Sequence, residues 1–501
     1  MERIYRWYEH VGINMYWLGQ SFASGVLTPI LLPYLVLLFV PDAQKNTYLA
    51  NVNIVGLAVA MLVQPIAGML SDRSTSRWGR RRPFIVTGAL LNALAILLIG
   101  LSPQFGTLSN PNSKIMFGVV LGFAVLQVAN ICSQFSANIA QGPLQGLMPD
   151  LIPEKQRGFS SGIKSVFELL PSLMVLGISP LVNKGYTLLV AAIVSAVLVV
   201  TMAVTVFSAH EEPQTTKPEK IKWEPYLRMV GLTVLFVAVT QLAVWLVNLS
   251  GNLTSGSLVA LRILLVGLAG MIGMAGAIFI GVYFGASLGI GKEAGQQKSF
   301  IWWVINRLMF LAAVGAIQRF AMYFLKDVLK IQNAATMTSI LLALVALFLI
   351  PSALFGGRLA DRVGKKRLVG IAGYIASAGA FLLVLSGFVA SSSLLNLPQI
   401  GYIIMVLISG CIIGLGTGTF MATNWALGTS LVPPAEAGKF LGISNLAGAG
   451  AGIVGAGIGG PLADYFDAVQ PGLGYLVIFF LYAVLFLLSV AALGQVKTTE
   501  S

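Results

Sequence analysis

Apolar runs of about 20 residues, long enough to cross a membrane as helices, recur in this chain from Trp17 to the C-terminus. Of its 501 residues, 57% are hydrophobic and only 10% are charged, whereas an average soluble protein carries about 25% charged residues. So few charges cannot cover a water-facing surface. The chain is therefore predicted to be an all-α, multi-pass membrane protein.

Polar breaks divide these runs into fourteen predicted spans. Six precede a Lys-rich stretch at 210–225, two follow it directly, and six more complete the chain. The predicted spans lie near 17–40, 47–70, 84–101, 115–143, 160–182, 185–208, 227–249, 258–286, 300–325, 335–356, 367–390, 400–430, 440–463 and 473–495.

Basic residues predict the orientation of the spans. The chain has 31 Lys and Arg against 18 acids and a net charge of +13, and the basic residues cluster in loops that fall on one side if the N-terminus is cytoplasmic. Membrane orientation thus explains the charge without a nucleic-acid partner. The loops at 248–257 and 391–398 carry no basic residue and are predicted to be external. This pattern and the even number of spans predict that both termini are cytoplasmic. We expect the chain in a bacterial inner membrane, because neither a cleavable signal sequence nor a long loop is visible.

Two segments recur in the same order in the two halves. GMLSDR at 68–73 matches GRLADR at 357–362, and LIPEKQRGFSSGI at 151–163 matches LVPPAEAGKFLGI at 431–443. The halves are therefore predicted to be six-helix repeats with two extra spans between them. The predicted boundaries are an N-terminal bundle at 1–209, a cytoplasmic linker at 210–225, an inserted helix pair at 226–298 and a C-terminal bundle at 299–501. Transporters built from two repeats bind their solute near the bilayer midplane.

The string VQPIAGMLSDRSTSRWGRRRPFI at 63–85 is the most specific in the chain. It resembles the glycoside-pentoside-hexuronide cation symporters of the major facilitator superfamily, in particular the sucrose-transporter branch. NIAQGPLQGLMPDLIP at 138–153 and LTP at 27–29 are similar to the fourth and first helices of that branch. The resemblance implies a major facilitator fold and covers both six-helix halves, but not the inserted pair.

The spacing Gly-x-x-x-Asp-Arg, which occurs in both halves, predicts a cytoplasmic gate, because a carboxylate at the helix end can hold arginines in alternative arrangements. The alternative is that the basic loop serves orientation alone. The predicted gate residues are Gly68, Asp72, Arg73, Arg77, Gly79, Arg80, Arg81, Gly357, Asp361 and Arg362.

The chain departs from the sucrose-transporter pattern in the fourth helix. The resemblance implies an acid and an arginine there, but Gln134 and Gln145 stand at these positions. Neither glutamine takes up a proton, so proton coupling cannot be assigned to them.

Charged and amide side chains within the spans are the remaining candidates for solute binding or coupling. For each amide the alternative is a hydrogen bond between helices. Besides Gln134 and Gln145, the candidates are Gln20, Asn138, Gln141, Glu168, Asn306, Arg307, Gln318, Arg319, Asn424 and Trp425, with Trp17 and Asn445 as further members. For Glu168 two partners are open: Arg307 across the cavity, or Lys164 one turn earlier in sequence, in which case Arg319 snorkels.

We expect a secondary active transporter working by alternating access. Three functions are compatible with the sequence. The first is symport of a sugar or glycoside with H⁺ or Na⁺, favoured by the amide-rich spans. The second is proton-driven efflux of drugs or metabolites, and the third is a non-transporting assembly factor. No Ser-His-acid set, metal-ligand spacing or phosphate-binding glycine loop is visible, so neither an enzyme nor a cofactor or metal is expected.

Overall fold

The computed structural model describes residues 4–110, 112–116, 118–211, 224–290, 297–392, 398–431 and 437–497. Within them the chain is almost entirely helical. The helices are α1 (Trp7–Val26), α2 (Leu32–Phe39), α3 (Lys45–Asp72), α4 (Arg82–Leu101), α5 (Leu121–Leu151), α6 (Glu154–Leu169), α7 (Pro171–Asn183), α8 (Thr187–Ser208), α9 (Glu224–Leu253), α10 (Val259–Ile290), α11 (Lys298–Asp327), α12 (Ala334–Val363), α13 (Lys365–Ser392), α14 (Gln399–Ser430), α15 (Ala437–Val469) and α16 (Leu473–Gly494).

Twelve helical segments of the described residues are long and apolar enough to cross a membrane. Two of them combine consecutive helices: α1 continues into α2 through a π-helical turn at Leu27–Leu31, and α6 continues into α7. The helices α5 and α15, with 31 and 33 residues, complete fourteen predicted spans. The protein is thus a multi-pass membrane protein, and the predicted fold class is confirmed.

Several predicted boundaries differ from the structure, among them the starts of the first and fourth spans. The first span starts at Trp7 rather than at residue 17, because the aromatic residues before it are already helical. The fourth starts at Leu121 rather than 115, since Ile115–Met116 (β1) and Val119–Val120 (β2) form an antiparallel hairpin around Gly118, whose φ is +78°. Most of the predicted linker, residues 212–223, lies outside the described residues.

The chain divides into two compact units. The first comprises Met1–Pro41 and Val59–Leu227, and the second comprises Asp42–Ala58 and Arg228–Ser501. The helix α3 therefore begins in the second unit and ends in the first. The predicted boundaries of the bundles and of the inserted pair stay a prediction.

In the first unit, α4 packs between α5 and α8, and α1 packs on α8. Hydroxyl groups link these helices, as in the bond from Thr205 Oγ1 to the carbonyl oxygen of Gly12 at 3.0 Å. Glycine permits the closest approach: a Cβ on Gly88 of α4 would lie 2.6 Å from the backbone nitrogen of Ala140 in α5.

In the second unit, α14 packs against α12 and α13, while α11 packs against α15 and α16. The helix α10, which is part of the predicted inserted pair, also packs on α15. The close contact of α11 and α15 depends on Gly455, where a Cβ would lie 2.5 Å from the carbonyl oxygen of Ala312. Gly455 therefore serves helix packing.

Candidate functional site

The loop between α3 and α4, residues 73–81 and here called the basic loop, folds back onto the end of α5. Arg81 binds Asp150 through its Nε and Asp72 through Nη2, the latter at 2.8 Å. Arg80 adds a second ion pair to Asp150. The Arg81 side chain is only 8% exposed, so these carboxylates neutralise a buried charge. Hydrogen bonding to Asp150 raises the pKa of the Arg80 guanidinium above its ordinary value.

Glu211, just beyond the end of α8, caps the start of α4. Its carboxylate accepts hydrogen bonds from the backbone amides of Arg81 and Arg82, each at 3.0 Å. Burial raises the pKa of the Glu211 carboxyl, against the lowering effect of these amides. Gly79 adopts φ +96°, and a Cβ there would lie 2.4 Å from Glu211. The turn therefore requires glycine at this position.

Two glycines of α5 allow close contacts in the segment 138–153, which resembles the family's fourth helix. A Cβ on Gly142 would lie 2.4 Å from the carbonyl oxygen of Gln64, and one on Gly146 would lie 2.2 Å from Cζ of Arg81. Gly142 therefore lets α3 and α5 meet near Gly68, and Gly146 makes room for the guanidinium.

The predicted gate residues of the first repeat thus meet in one network, with two exceptions. Arg73 turns back to Met69 Sδ at 3.1 Å, and Arg77 is exposed. Sequence reasoning missed Asp150 and Glu211. The signal available for them was that arginines held at a buried site need carboxylates on the same side of the membrane.

The second copy of the pattern forms no such network among the described side chains. It ends α12 at the equivalent position, and Gly357 and Arg362 are exposed. A Cβ on Gly357 would meet no atom within 4 Å. The Asp361 side chain lies outside the described residues, so the predicted role of this copy stays a prediction.

Four of the predicted solute residues meet between α11 and α14 in the second unit. Asn424 donates Nδ2–H to Oδ1 of Asn306 at 2.8 Å, and Asn306 donates to the carbonyl oxygen of Ser489 at 2.8 Å. Both asparagines are fully buried. The buried Trp303 donates Nε1–H to the carbonyl oxygen of Asn424 at 3.0 Å. The network fixes the Asn424 amide and the position of its Oδ1 acceptor.

Arg307 lies beside this network, between two aromatic rings. Its Nη1 donates to Oδ1 of Asn424 at 3.3 Å, and its Cζ lies 5.1 Å from the ring centre of Trp425 and 5.9 Å from that of Trp303. Within the described part of the chain its buried Nε has no hydrogen-bond partner and the guanidinium has no ion pair. We call Trp303, Asn306, Arg307, Asn424 and Trp425 the α11–α14 polar site.

Arg319, three turns further along α11, does not snorkel to the helix end. Its Nε donates to Oδ1 of Asn53 in α3 at 3.4 Å. The neighbouring Gln318 is exposed. Arg319 is therefore a second arginine of α11 that has a neutral partner.

Of the two partners predicted for Glu168, the structure shows Lys164, at 3.3 Å on α6. The Lys164 Nζ also lies 4.1 Å from the ring centre of Trp17. The lysine charge is thus shared between a carboxylate and an aromatic face.

Two amide candidates of the first unit donate to backbone carbonyls. Gln20 donates to the carbonyl oxygen of Ala137 at 3.1 Å, and Asn138 donates to that of Gln134 at 2.7 Å. Gln141 is partly buried and Gln145 is exposed on α5. The Gln20 bond links α1 to α5, whereas the Asn138 bond lies within α5. The side chain of Asn445 lies outside the described residues.

A second charged network, absent from the sequence predictions, lies at the start of α3 in the second unit. Lys45 binds Asp327 at 2.6 Å and Asp42 at 3.3 Å. Asp464 of α15 accepts hydrogen bonds from the first turn of α3. A cavity of about 240 Å³ adjoins this network and is lined by Asp42, Ala43, Lys45, Asp327, Lys330, Asp467, Ala468, Pro471 and Gly472.

Comparison with known families matches both halves of the chain. Residues 308–500 match the family Major Facilitator Superfamily, and residues 18–260 match the family MFS/sugar transport protein. Sucrose transport protein SUC4 of Arabidopsis thaliana is 34% identical over 144 residues, which are 28% of this chain and 26% of the relative. Sucrose transport protein SUT1 of Oryza sativa subsp. japonica is 37% identical over 156 residues, 29% of this chain and 27% of the relative. The matched segment thus spans about a quarter of these relatives, and it confirms the predicted resemblance to their branch.

Solved structures match over almost the whole chain. The POT family transporter PepTSo has a TM-score of 0.65 at 13% identity, with 98% of each chain covered. A D-xylose-proton symporter has a TM-score of 0.58 at 15% identity, covering 98% of this chain and 96% of that one. At this identity the likeness concerns the fold alone.

Proposed function

Because the chain belongs to the major facilitator superfamily, we propose that it is a secondary active transporter that carries a sugar or glycoside together with a cation. Transporters of this kind expose one binding site alternately to the two sides of the membrane. The named relatives are sucrose transport proteins, and the chemistry of the second unit suits a ligand rich in hydroxyl groups.

The α11–α14 polar site is the observation that carries this proposal. Arg307 offers hydrogen-bond donors, the fixed Asn424 amide offers an acceptor, and Trp425, which is 37% exposed, offers an aromatic face. Sugars present hydroxyl groups at their edges and C–H groups on their faces, so donors, acceptors and an aromatic ring together fit them. The buried Nε of Arg307 supplies a donor that the described protein atoms leave unused.

The basic loop is proposed as part of the cytoplasmic gate. Asp72, Arg80, Arg81, Asp150 and Glu211 join the ends of α3, α5 and α8 to the start of α4. Ion pairs of this kind can be broken and remade as the helices move. Cytoplasmic gating requires that the basic loop lies on the same side of the membrane as both termini. The proposed location of the protein is the inner membrane of a bacterium.

The proposed partners are a small solute, H⁺ or Na⁺, and the lipid bilayer. The proposed domain boundaries are those expected from the sequence: bundles at 1–209 and 299–501, a linker at 210–225 and an inserted pair at 226–298.

Uptake of a radiolabelled sugar panel into proteoliposomes, under an imposed proton or sodium gradient, tests the proposal. We expect gradient-dependent accumulation of at least one sugar. In Trp425→Ala the KM for that sugar should rise by about tenfold, because a stacking and cation–π surface is removed. Trp245→Ala is the matched control, since Trp245 is an exposed tryptophan on α9.

Equal effects of the two tryptophan variants would place solute binding elsewhere. Accumulation only when the gradient is reversed would support proton-driven efflux instead. No flux of any solute, with a stable membrane partner recovered on purification, would favour an assembly factor.

A further inference from the structure

The carboxylate of Asp464 caps the N-terminus of α3. Its Oδ1 accepts hydrogen bonds from the Asn46 backbone amide at 3.2 Å and from Asn46 Nδ2 at 2.8 Å, and its Oδ2 accepts one from the Thr47 amide at 2.7 Å. The first amides of a helix have no partner within the helix, and the helix dipole favours a negative charge there. Asp464 is only 9% exposed, so few water molecules can replace these contacts. We call this arrangement the α3 cap.

The α3 cap requires the ionised carboxylate. Both oxygens accept hydrogen bonds from amide donors, and a carboxylate has only acceptor sites. A proton on either oxygen would turn that oxygen into a hydroxyl donor that faces another donor. One protonation event therefore removes at least one bond of the cap.

The cap lies beside the second charged network. Lys45 at the start of α3 is bound by Asp327 and Asp42, and Tyr475 Oη lies 2.9 Å from Asp327 Oδ2 and 3.2 Å from Asn46 Oδ1. Asp467, one turn after Asp464, accepts the amides of Gly472 and Gly474 and so caps its own loop. The titratable and charged groups around the cap are Asp42 and Lys45 before and on α3, Tyr323, Asp327 and Lys330 on and after α11, Asp467 on α15, and Tyr475 on α16.

A polar cavity adjoins the second charged network, beside the cap. The cavity of about 240 Å³ is lined by Lys45, Asp327 and Asp467. It lies at the start of α3, the end that the predicted orientation places outside, because the Arg-rich loop that follows α3 is predicted to be cytoplasmic. In that orientation protons enter the cavity from the external side.

The cap controls a helix that both units share. Residues up to Ala58 of α3 belong to the second unit, and residues from Val59 belong to the first. Release of the first turn of α3 would therefore free the part of this helix that the second unit holds. The fourth helix carries Gln134 where the resemblance implies an acid, so proton coupling needs a carboxylate elsewhere in the chain.

We propose that Asp464 is the carboxylate through which protons drive transport. The ionised carboxylate holds the start of α3 on the second unit, and the protonated carboxyl group releases this part of the helix. A proton from the external side binds one carboxylate oxygen, and the bonds to that oxygen break: the two from Asn46 if it is Oδ1, or the one from Thr47 if it is Oδ2. The proton later leaves to water on the cytoplasmic side. The proposal rests on the proposed transport function and names its coupling residue.

Hydrogen exchange of the full-length protein in detergent, followed by mass spectrometry, tests the cap without reference to any solute. Rates are corrected for the intrinsic pH dependence of exchange, from about pH 5 to about pH 8, where buried carboxyls titrate. We expect protection of the first turns of α3 to fall roughly fivefold at the acidic end, the order expected for one lost helix cap. In Asp464→Asn protection should be low at every pH.

Asp467→Asn is the matched control, because it removes a carboxylate of the same helix that caps a different segment. It should keep the pH dependence of α3. Protection of α3 that is constant with pH in the wild-type chain, or unchanged in Asp464→Asn, would overturn the proposal. Should Asp464→Asn fail to fold, Asn46→Ala removes one donor to the carboxylate and should lower protection while keeping its pH dependence; unaltered protection would count against the cap.

Transport measurements then separate coupling from solute binding. Asp464→Asn should lose proton-driven accumulation but keep solute counterflow, which needs no net proton movement. Accumulation at the wild-type level in this variant would overturn the coupling role. Absence of flux in every protein would overturn the proposed transport function, whereas the exchange experiment would still decide whether the cap responds to protons.

Discussion

Arg81 is the residue on which the basic loop depends. It contacts Asp72, Ser71 and Asp150, and its guanidinium fits only because Gly146 has no side chain. A planar group with several donors can bind two carboxylates at once, which lysine cannot do with the same geometry.

We expect Arg81→Ala to lower the free energy of unfolding by roughly 2 kcal/mol, because buried acceptors lose their donor. Thermal unfolding of the purified protein in detergent measures the change. Arg77→Ala is the control, since Arg77 lies in the same loop and is exposed. An equal loss in both variants would mean that only the charge of the loop matters.

At the residue scale, the sequence predicted candidate residues better than it predicted the contacts between them. Asn306, Arg307, Asn424 and Trp425 could be selected because polar groups within apolar runs are rare, and the structure brings them together. Asp464 could not be selected in this way. Two of its partners are backbone amides 418 and 417 residues away, and backbone donors leave no mark in the sequence.

At the scale of elements, glycine sets how closely helices approach. A Cβ on Gly455 of α15 would lie 2.5 Å from the backbone of Ala312 in α11, so neither a rotamer change nor a flexible side chain can relieve the contact. Gly276 of α10 has no atom within 4 Å of its added Cβ.

Gly455→Ala should therefore destabilise the protein by about 1–3 kcal/mol, as overpacking does. Gly276→Ala should be neutral or slightly stabilising, because alanine is the better helix former. Thermal unfolding of the two variants side by side checks this difference. A stability of Gly455→Ala equal to that of Gly276→Ala would show that α11 and α15 can separate without cost.

The prediction of element boundaries succeeded where polarity changes sharply along the sequence and failed where it does not. The π-helical turn at Leu27–Leu31 and the hairpin around Gly118 lie within or beside apolar sequence. The hydrophobicity that marks a span is the same in a helix, a π-turn and a strand, so local backbone geometry decided these boundaries.

At the scale of the whole molecule, the proposed gate and the proposed entry of protons both depend on the predicted orientation in the membrane. We expect a cysteine at Ser76 to be internal and one at Ser255, between α9 and α10, to be external, because loops rich in Lys and Arg stay in the cytoplasm. The chain has only two native cysteines, Cys132 and Cys411, and both can be replaced by alanine beforehand.

A membrane-impermeant maleimide applied to intact cells measures the orientation. Ser255→Cys should be labelled directly, and Ser76→Cys only after the membrane is permeabilised. The opposite pattern would invert the molecule and place the start of α3 in the cytoplasm.

Pro65 gives α3 a point of low bending stiffness. Proline has no amide hydrogen, so the carbonyl oxygen of Met61 loses its helical bond, and the ring pushes the preceding turn outward. This weak point lies two turns beyond Ala58, where α3 passes from the second unit to the first. The helix therefore bends more easily at this point than elsewhere along its length.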